Sequence, residues 1–292
     1  MGTGQWRLPA TLTMPKGEGP FPVVILVHGS GPNDRDETLA ASKPFKDLAW
    51  GLATRRIAVL RYEKRTRHYP LECAAMLGSL TVEEETIDDA LAAVNLLYEI
   101  EGIDNQNIFV LGHSLGGMLA PRIASQDSRL AGLIILAGAT RRFEDLVLEQ
   151  TMYLASLDGE IDKNEEERIE EIQRQVKRVK ELDINEGEVV LGAGRAYWQD
   201  LAKYNAVATA ESLTVPMLVL QGERDYQVTM EDFKGWTDAL QGRDNITLKS
   251  YADLNHLFIS GSGMSTPSEY EKPCNVAQIV IEDIVGWIEG QR

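Results

Sequence analysis

The chain has 292 residues, enough for one or two domains, and at this length folding buries roughly three quarters of the unfolded surface. Its net charge is −16, with 43% hydrophobic and 25% charged residues; an acidic surface repels a phosphate backbone, which argues against nucleic-acid binding, and the composition is ordinary for a globular protein. No apolar run approaches the ~20 residues of a membrane span, and Cys73 and Cys274 are too few for a disulfide framework or a zinc site.

The first residues, Met1-Gly2-Thr3-Gly4-Gln5, are neither basic nor apolar. No signal peptide is read there, and a cytoplasmic address is expected, with removal of an earlier signal as the alternative. Thr11-Leu12-Thr13 alternates and suits an outer strand. Phe21–Val27 is a continuous apolar run that ends in His28-Gly29-Ser30-Gly31. Phe45, Leu48, Ala49 and Leu52 make a helical stripe, and Ile57–Leu60 is a second apolar run. Thr81 with Glu84 three residues on is a capping-box signature, and it opens a stripe of Ile87, Ala90, Leu91, Val94, Leu97 and Tyr98. Further runs follow at Asn107–Leu111, Leu133–Leu136 and Met217–Leu220. Ile246–Tyr251 alternates as a second outer strand, and Val276, Val280, Ile284, Trp287 and Ile288 close the chain as a helix. Continuous apolar runs read as strands buried on both faces. Their alternation with helices predicts an α/β fold with a mostly parallel central sheet covered on both faces.

One connection breaks the rhythm. Residues 140–212 lie between two expected strands and are far longer than an ordinary connection. They are expected to form a helical cap, inserted into a core of residues 1–139 and 213–292. Ile169, Ile172, Val176 and Val179 recur at helical spacing on an otherwise charged surface, so the stretch from Asp158 to Glu188 should be the outer face of that cap. Asp158–Asp162 resembles the start of a calcium loop, but Lys163 and Ile169 stand where glycine and glutamate are required.

Gly112-His113-Ser114-Leu115-Gly116 follows a buried strand and precedes a helical pattern. This is the G-x-S-x-G turn in its strand–turn–helix setting, which lifts Ser114 clear of the sheet edge as a nucleophile. A serine hydroxyl needs an adjacent base. Of four histidines, His28 belongs to the HGSG turn, His113 to the elbow itself, and His68 to a basic loop, which leaves His256 on a late loop after a strand. Asp225, in the loop after Met217–Leu220, is the expected acid, with Glu223 and then Asp253 as rivals. The order Ser, Asp, His is that of the α/β-hydrolases. Backbone N–H groups of Leu115 and Ser30 are the expected oxyanion donors. Pocket walls are expected from Tyr69, Met118, Trp198, Tyr226 and Phe258, and Trp198→Ala is expected to shift acyl-length preference more than stability.

The chain resembles the bacterial EstD-type carboxylesterases of the α/β-hydrolase superfamily, which are related to dienelactone hydrolase and prolyl-oligopeptidase catalytic domains. The resemblance is carried by His28-Gly29-Ser30-Gly31-Pro32-Asn33-Asp34-Arg35-Asp36-Glu37, Leu60-Arg61-Tyr62-Glu63-Lys64-Arg65, Gly112–Gly117 and Gly222–Val228, and it spans the chain from about Thr11 onward. It implies a serine carboxylesterase for short acyl esters with Ser114, Asp225 and His256 as triad. A serine peptidase or amidase and a thioesterase would use the same residues, and a non-catalytic hydrolase-like binding protein is the alternative of another class. No metal or organic cofactor is expected. The expected partner is a small-molecule ester, with no nucleic acid and no membrane span, and a homo-oligomer is left open.

Overall fold

Aliphatic and β-branched side chains at successive positions can be buried on both sides of a strand only where helices cover both faces of the sheet. The computed structural model, which describes residues 1, 2 and 4–291, is built that way. In chain order the elements are β1 (Ala10–Thr13), β2 (Phe21–Val27), α1 (Pro44–Ala53), β3 (Ala58–Tyr62), α2 (Arg65–His68), α3 (Pro70–Ala75), a π-helical turn (Glu83–Ile87) running into α4 (Asp88–Leu97), β4 (Ile103–His113), α5 (Leu115–Gln126), β5 (Gly132–Leu136), α6 (Phe143–Ala155), α7 (Lys163–Lys180), α8 (Arg195–Lys203), α9 (Ala206–Ser212), β6 (Met217–Gly222), α10 (Met230–Leu240), β7 (Ile246–Tyr251) and α11 (Gln278–Gly290).

Among the described residues seven strands form one sheet, in the order β1-β3-β2-β4-β5-β6-β7. Only β1 is antiparallel; every other pair is parallel. The two alternating segments, β1 and β7, are the edges, where one side of a strand meets water. The apolar runs are the interior strands. The connections leave β2 toward one edge and β4 toward the other, so the sheet reverses direction between these two neighbours. In open α/β sheets, ligands bind outside the carboxyl ends of the strands at such a switch point.

Two details differ from the sequence reading. Strand β4 begins at Ile103, well before its apolar run, because Asp104–Asn107 is half-exposed or exposed and carries no apolar signal. The helix opened by Thr81, whose N–H donates to Glu84 at 2.8 Å, first makes the π-helical turn, which turns Glu85 and Thr86 inward.

Between β5 and β6 the chain forms α6, α7, α8 and α9. Asp162 caps α7: its carboxylate accepts from the Glu165 N–H at 2.8 Å, and Glu165 reaches back to the Asp162 N–H at 2.9 Å. The stripe of Ile169, Ile172, Val176 and Val179 is the sheltered side of α7, and its other faces are exposed. Cys73 and Cys274 are both free thiols. Among the described residues, no helix is long and apolar enough to cross a membrane.

Candidate active site

Ser114 sits between the last residue of β4 and the first of α5, at φ 55° and ψ −118°. A non-glycine residue held there is strained by about 1–3 kcal/mol. Packing enforces the turn, because a Cβ on Gly116 would fall 2.3 Å from the Val27 carbonyl oxygen, so only glycine lets α5 start this close to β2. The first N–H groups of a helix have no intrahelical acceptor. The Leu115 N–H, beside Ser114, therefore has no hydrogen-bond partner among the described residues. The Ser30 N–H, on the loop after β2, also has no hydrogen-bond partner among the described residues. That loop presses on the serine: a Cβ on Gly29 would lie 3.1 Å from Ser114 Cβ.

His256 and Asp225 come from the loops after β7 and β6, at the same edge of the sheet. His256 Nδ1–H donates to Asp225 Oδ2 at 2.7 Å, and both side chains are buried. Nε2 of His256 has no hydrogen-bond partner among the described residues. Asp225 Oδ1 accepts from the N–H groups of Gln227 (2.7 Å) and Val228 (3.0 Å), and Gln221 Nε2 donates to Oδ2 at 3.2 Å. Such a carboxylate is fixed in rotation and ready to steady a neighbouring imidazolium. Glu223 points elsewhere, accepting from Ser250 Oγ at 2.7 Å, and Asp253 is exposed. His68 stacks edge-on against Tyr69 in α2, far along the chain from these loops.

Two cavities meet at Ser30. The smaller, about 100 Å³, is lined by Ser30, Ser114, Leu115, Met118, Val147 and Val228, among others. The larger, about 580 Å³, continues past Ser30, Phe143 and Val147 to Leu191, Tyr197 and Trp198. Of the five expected pocket residues, Met118 and Trp198 line these cavities and three do not. Tyr69 packs on Trp6 and donates its hydroxyl to the Arg7 carbonyl at 2.8 Å. Tyr226 stacks flat on Tyr153 at 4.8 Å. Phe258 is 1% exposed and packs edge-on against Tyr251. Nearness to a motif did not place them in the pocket: Tyr226 and Phe258 are buried in the packing beneath the loops, and half-buried Tyr69 is turned to the N-terminal segment. Phe143 and Val147 of α6 line both cavities, and no motif marks them. Trp198 is held as a core residue, with its Nε1–H on the Val190 carbonyl at 2.8 Å. Removing a buried tryptophan costs about 3–5 kcal/mol, so Trp198→Ala reads out on stability first, contrary to the expectation from sequence.

Residues 20–261 match the model of a family described as serine aminopeptidase, S33. The chain belongs to this family. It is 44% identical over 281 residues to esterase EstD of Thermotoga maritima; the match takes in 96% of this chain and 65% of that protein, so the chain spans just under two thirds of its relative's length. Among solved structures it resembles 2,6-dihydroxy-pseudo-oxynicotine hydrolase, with a TM-score of 0.61 at 19% identity over 99% of this chain and 65% of that one. It also resembles the α/β-hydrolase GrgF of Penicillium sp. sh18, with a TM-score of 0.60 at 15% identity over 97% and 94%. The fold is that of the α/β-hydrolases.

In this S33-family chain a second buried layer lies under the loops. His113 Nε2–H donates to the His256 carbonyl at 2.9 Å, and its Nδ1 lies 2.9 Å from Glu37 Oε2. Burial pushes the Glu37 carboxyl up, but His113, His28 and the Gly29 N–H outweigh it and hold it below the usual range. Burial likewise lowers His113, and Glu37 with the His256 carbonyl reverses that, so its pKa is raised. Glu37 lies inside the His28–Glu37 motif, yet nothing in one sequence pairs it with His113. His28 is different. It is buried between Phe45 and Tyr62 with neither ring nitrogen partnered among the described residues, and burial lowers its pKa from 6.5 to about 4. The unfolded chain therefore binds more protons than the folded one between these values, and stability falls as pH falls through the window. The expected loss by pH 4 is about 3 kcal/mol from this group alone. Chemical denaturation of wild type and His28→Leu across that range checks it, since the variant should lack this part of the slope.

Proposed function

We propose that this chain is a serine carboxylesterase acting on short-chain acyl esters. The observation that carries the reading is the Asp225–His256 hydrogen bond, delivered to the same sheet edge as a serine on a strained elbow beside two backbone N–H groups with no partner among the described residues. Ser114 Oγ attacks the acyl carbon while His256 Nε2 takes its proton. Asp225 holds the imidazole tautomer and steadies the imidazolium. The developing oxyanion is met by the N–H groups of Ser30 and Leu115. His256 returns the proton to the departing alcohol, then deprotonates the water that frees the acid and restores Ser114. The likeness to esterase EstD supports ester rather than amide bonds as the target.

Residues 140–212 act as a helical cap over the core of residues 1–139 and 213–292, with α6 facing both cavities and α8 the larger one. The cavity at Ser114, about 100 Å³, suits a small acyl group, and the larger one takes the bulkier part of the substrate. A series of p-nitrophenyl esters of increasing acyl length, assayed beside a peptide p-nitroanilide, tests the reaction class. Rates that fall beyond short chains, with no amide turnover, are expected; faster amide cleavage would make the chain a peptidase. Val147 stands where the cavities join. Val147→Phe is expected to lower kcat/KM for hexanoate relative to acetate by about tenfold or more, because a pocket discriminates by about 1–3 kcal/mol per methylene. An unchanged ratio would place the acyl group elsewhere.

A further inference from the structure

We propose that Lys64 is a positioning residue for the oxyanion hole: its buried ammonium holds the Gly29–Ser30 peptide so that the Ser30 N–H faces the nucleophile. The inference rests on the ester-hydrolase reading of the same site. Lys64 lies just past the end of β3, in the Leu60–Arg65 segment to which the triad gives no part.

A lysine ammonium is rarely taken fully out of water, yet Lys64 is 2% exposed. Its Nζ donates to the Gly29 carbonyl at 2.7 Å and lies 3.4 Å from Glu85 Oε1. Glu85 is buried too, on the π-helical turn, and its other oxygen accepts from the Tyr197 hydroxyl at 3.1 Å. A buried ion pair can often be replaced by apolar side chains without loss of stability. Apolar side chains could not hold a carbonyl, and the carbonyl is the closer of the two partners here.

Gly29 is held at both of its polar groups. Its N–H donates to Glu37 Oε1 at 2.6 Å, and its carbonyl also accepts from Asn33 Nδ2 at 3.2 Å. In a trans peptide the C=O and the following N–H point in opposite directions across one rigid plane. Anchoring the Gly29 oxygen on Lys64 therefore directs the Ser30 N–H the other way. That N–H has no partner among the described residues, and Ser30 shares a cavity wall with Ser114 and Leu115. A cation at the carbonyl oxygen also favours the charge-separated form of the amide. The Ser30 N–H becomes a stronger donor, as in any chain of hydrogen bonds that begins on a charge in a dry site. The gain is largest when the substrate oxygen carries negative charge, so it belongs to the transition state.

The test removes the cation without stranding its partner, using Lys64→Met/Glu85→Gln. With p-nitrophenyl acetate, kcat is expected to fall about 10- to 1,000-fold with KM within about threefold. A short trifluoromethyl ketone, which adds to Ser114 as a hemiketal oxyanion, should bind more weakly by the same factor, while the matching methyl alcohol binds as to wild type. Lys64→Gln, a neutral donor, should fall between the two, and it carries the test if the double variant does not fold. Wild-type kcat, or a loss of kcat with undiminished trifluoromethyl ketone affinity, overturns the role of Lys64 and leaves the esterase reading intact. Wild-type protein that neither hydrolyses the ester nor takes up the ketone overturns both, and that result is read before any substitution is made.

Discussion

Ser114→Ala is expected to lose about 10⁴- to 10⁶-fold in ester turnover, the remaining rate being what the proposed oxyanion donors and binding alone supply. The fold should be unaffected. Alanine keeps the Cβ that already occupies the strained φ of 55°, so the elbow carries the same strain, and the Ser114 N–H still donates to the Leu136 carbonyl at 2.9 Å. A fluorophosphonate should label wild type at Ser114 and leave the variant unlabelled, with matching thermal transitions. Wild-type turnover in the variant, or label on another serine, would remove Ser114 from the mechanism.

Asp225→Asn is expected to cost about 10⁴-fold in kcat. The geometry says why. Two backbone N–H groups, those of Gln227 and Val228, require an acceptor at Oδ1, so the asparagine carbonyl must sit there. Its NH₂ then takes the place of Oδ2 and points a donor at His256 Nδ1. The imidazole can meet that donor only by moving its proton to Nε2, the nitrogen that accepts the serine proton in the proposed mechanism. Gln221 Nε2 also loses its acceptor at 3.2 Å. Glu223→Gln should change kcat less than about twofold, because Glu223 bonds Ser250 at 2.7 Å and not the histidine. Measuring both variants across a pH series decides the acid; a large loss for Glu223→Gln with a small one for Asp225→Asn would reverse the assignment.

Much of this architecture is legible along the chain. The interior strands announce themselves because burial on both faces leaves an unbroken apolar run, as at Phe21–Val27, whereas the edge strands alternate. The elbow is legible because a turn tight enough to leave 2.3 Å between a Gly116 Cβ and the Val27 carbonyl oxygen admits only glycine, and glycine is visible in the sequence. Loops that follow strands inherit their position from the sheet, so Ser30, Ser114, Asp225 and His256 can be placed at one edge once the strands are recognised.

What tertiary structure alone decided is which side chains meet across long separations. Glu37 and His113 are neighbours 2.9 Å apart, as are Lys64 and the Gly29 carbonyl at 2.7 Å, yet each pair is widely spaced in the chain. No local period encodes such a contact, since it exists only where two strand ends are brought side by side in the sheet. The pocket is of the same kind. Tyr69, Tyr226 and Phe258 lie near motifs but turn to other partners, while Phe143 and Val147 line the cavity at the serine from a helix that no motif marks. Periodicity and short motifs determine where the backbone goes; the direction of each side chain, and hence the wall of the cavity, depends on how the helices between β5 and β6 settle on the sheet.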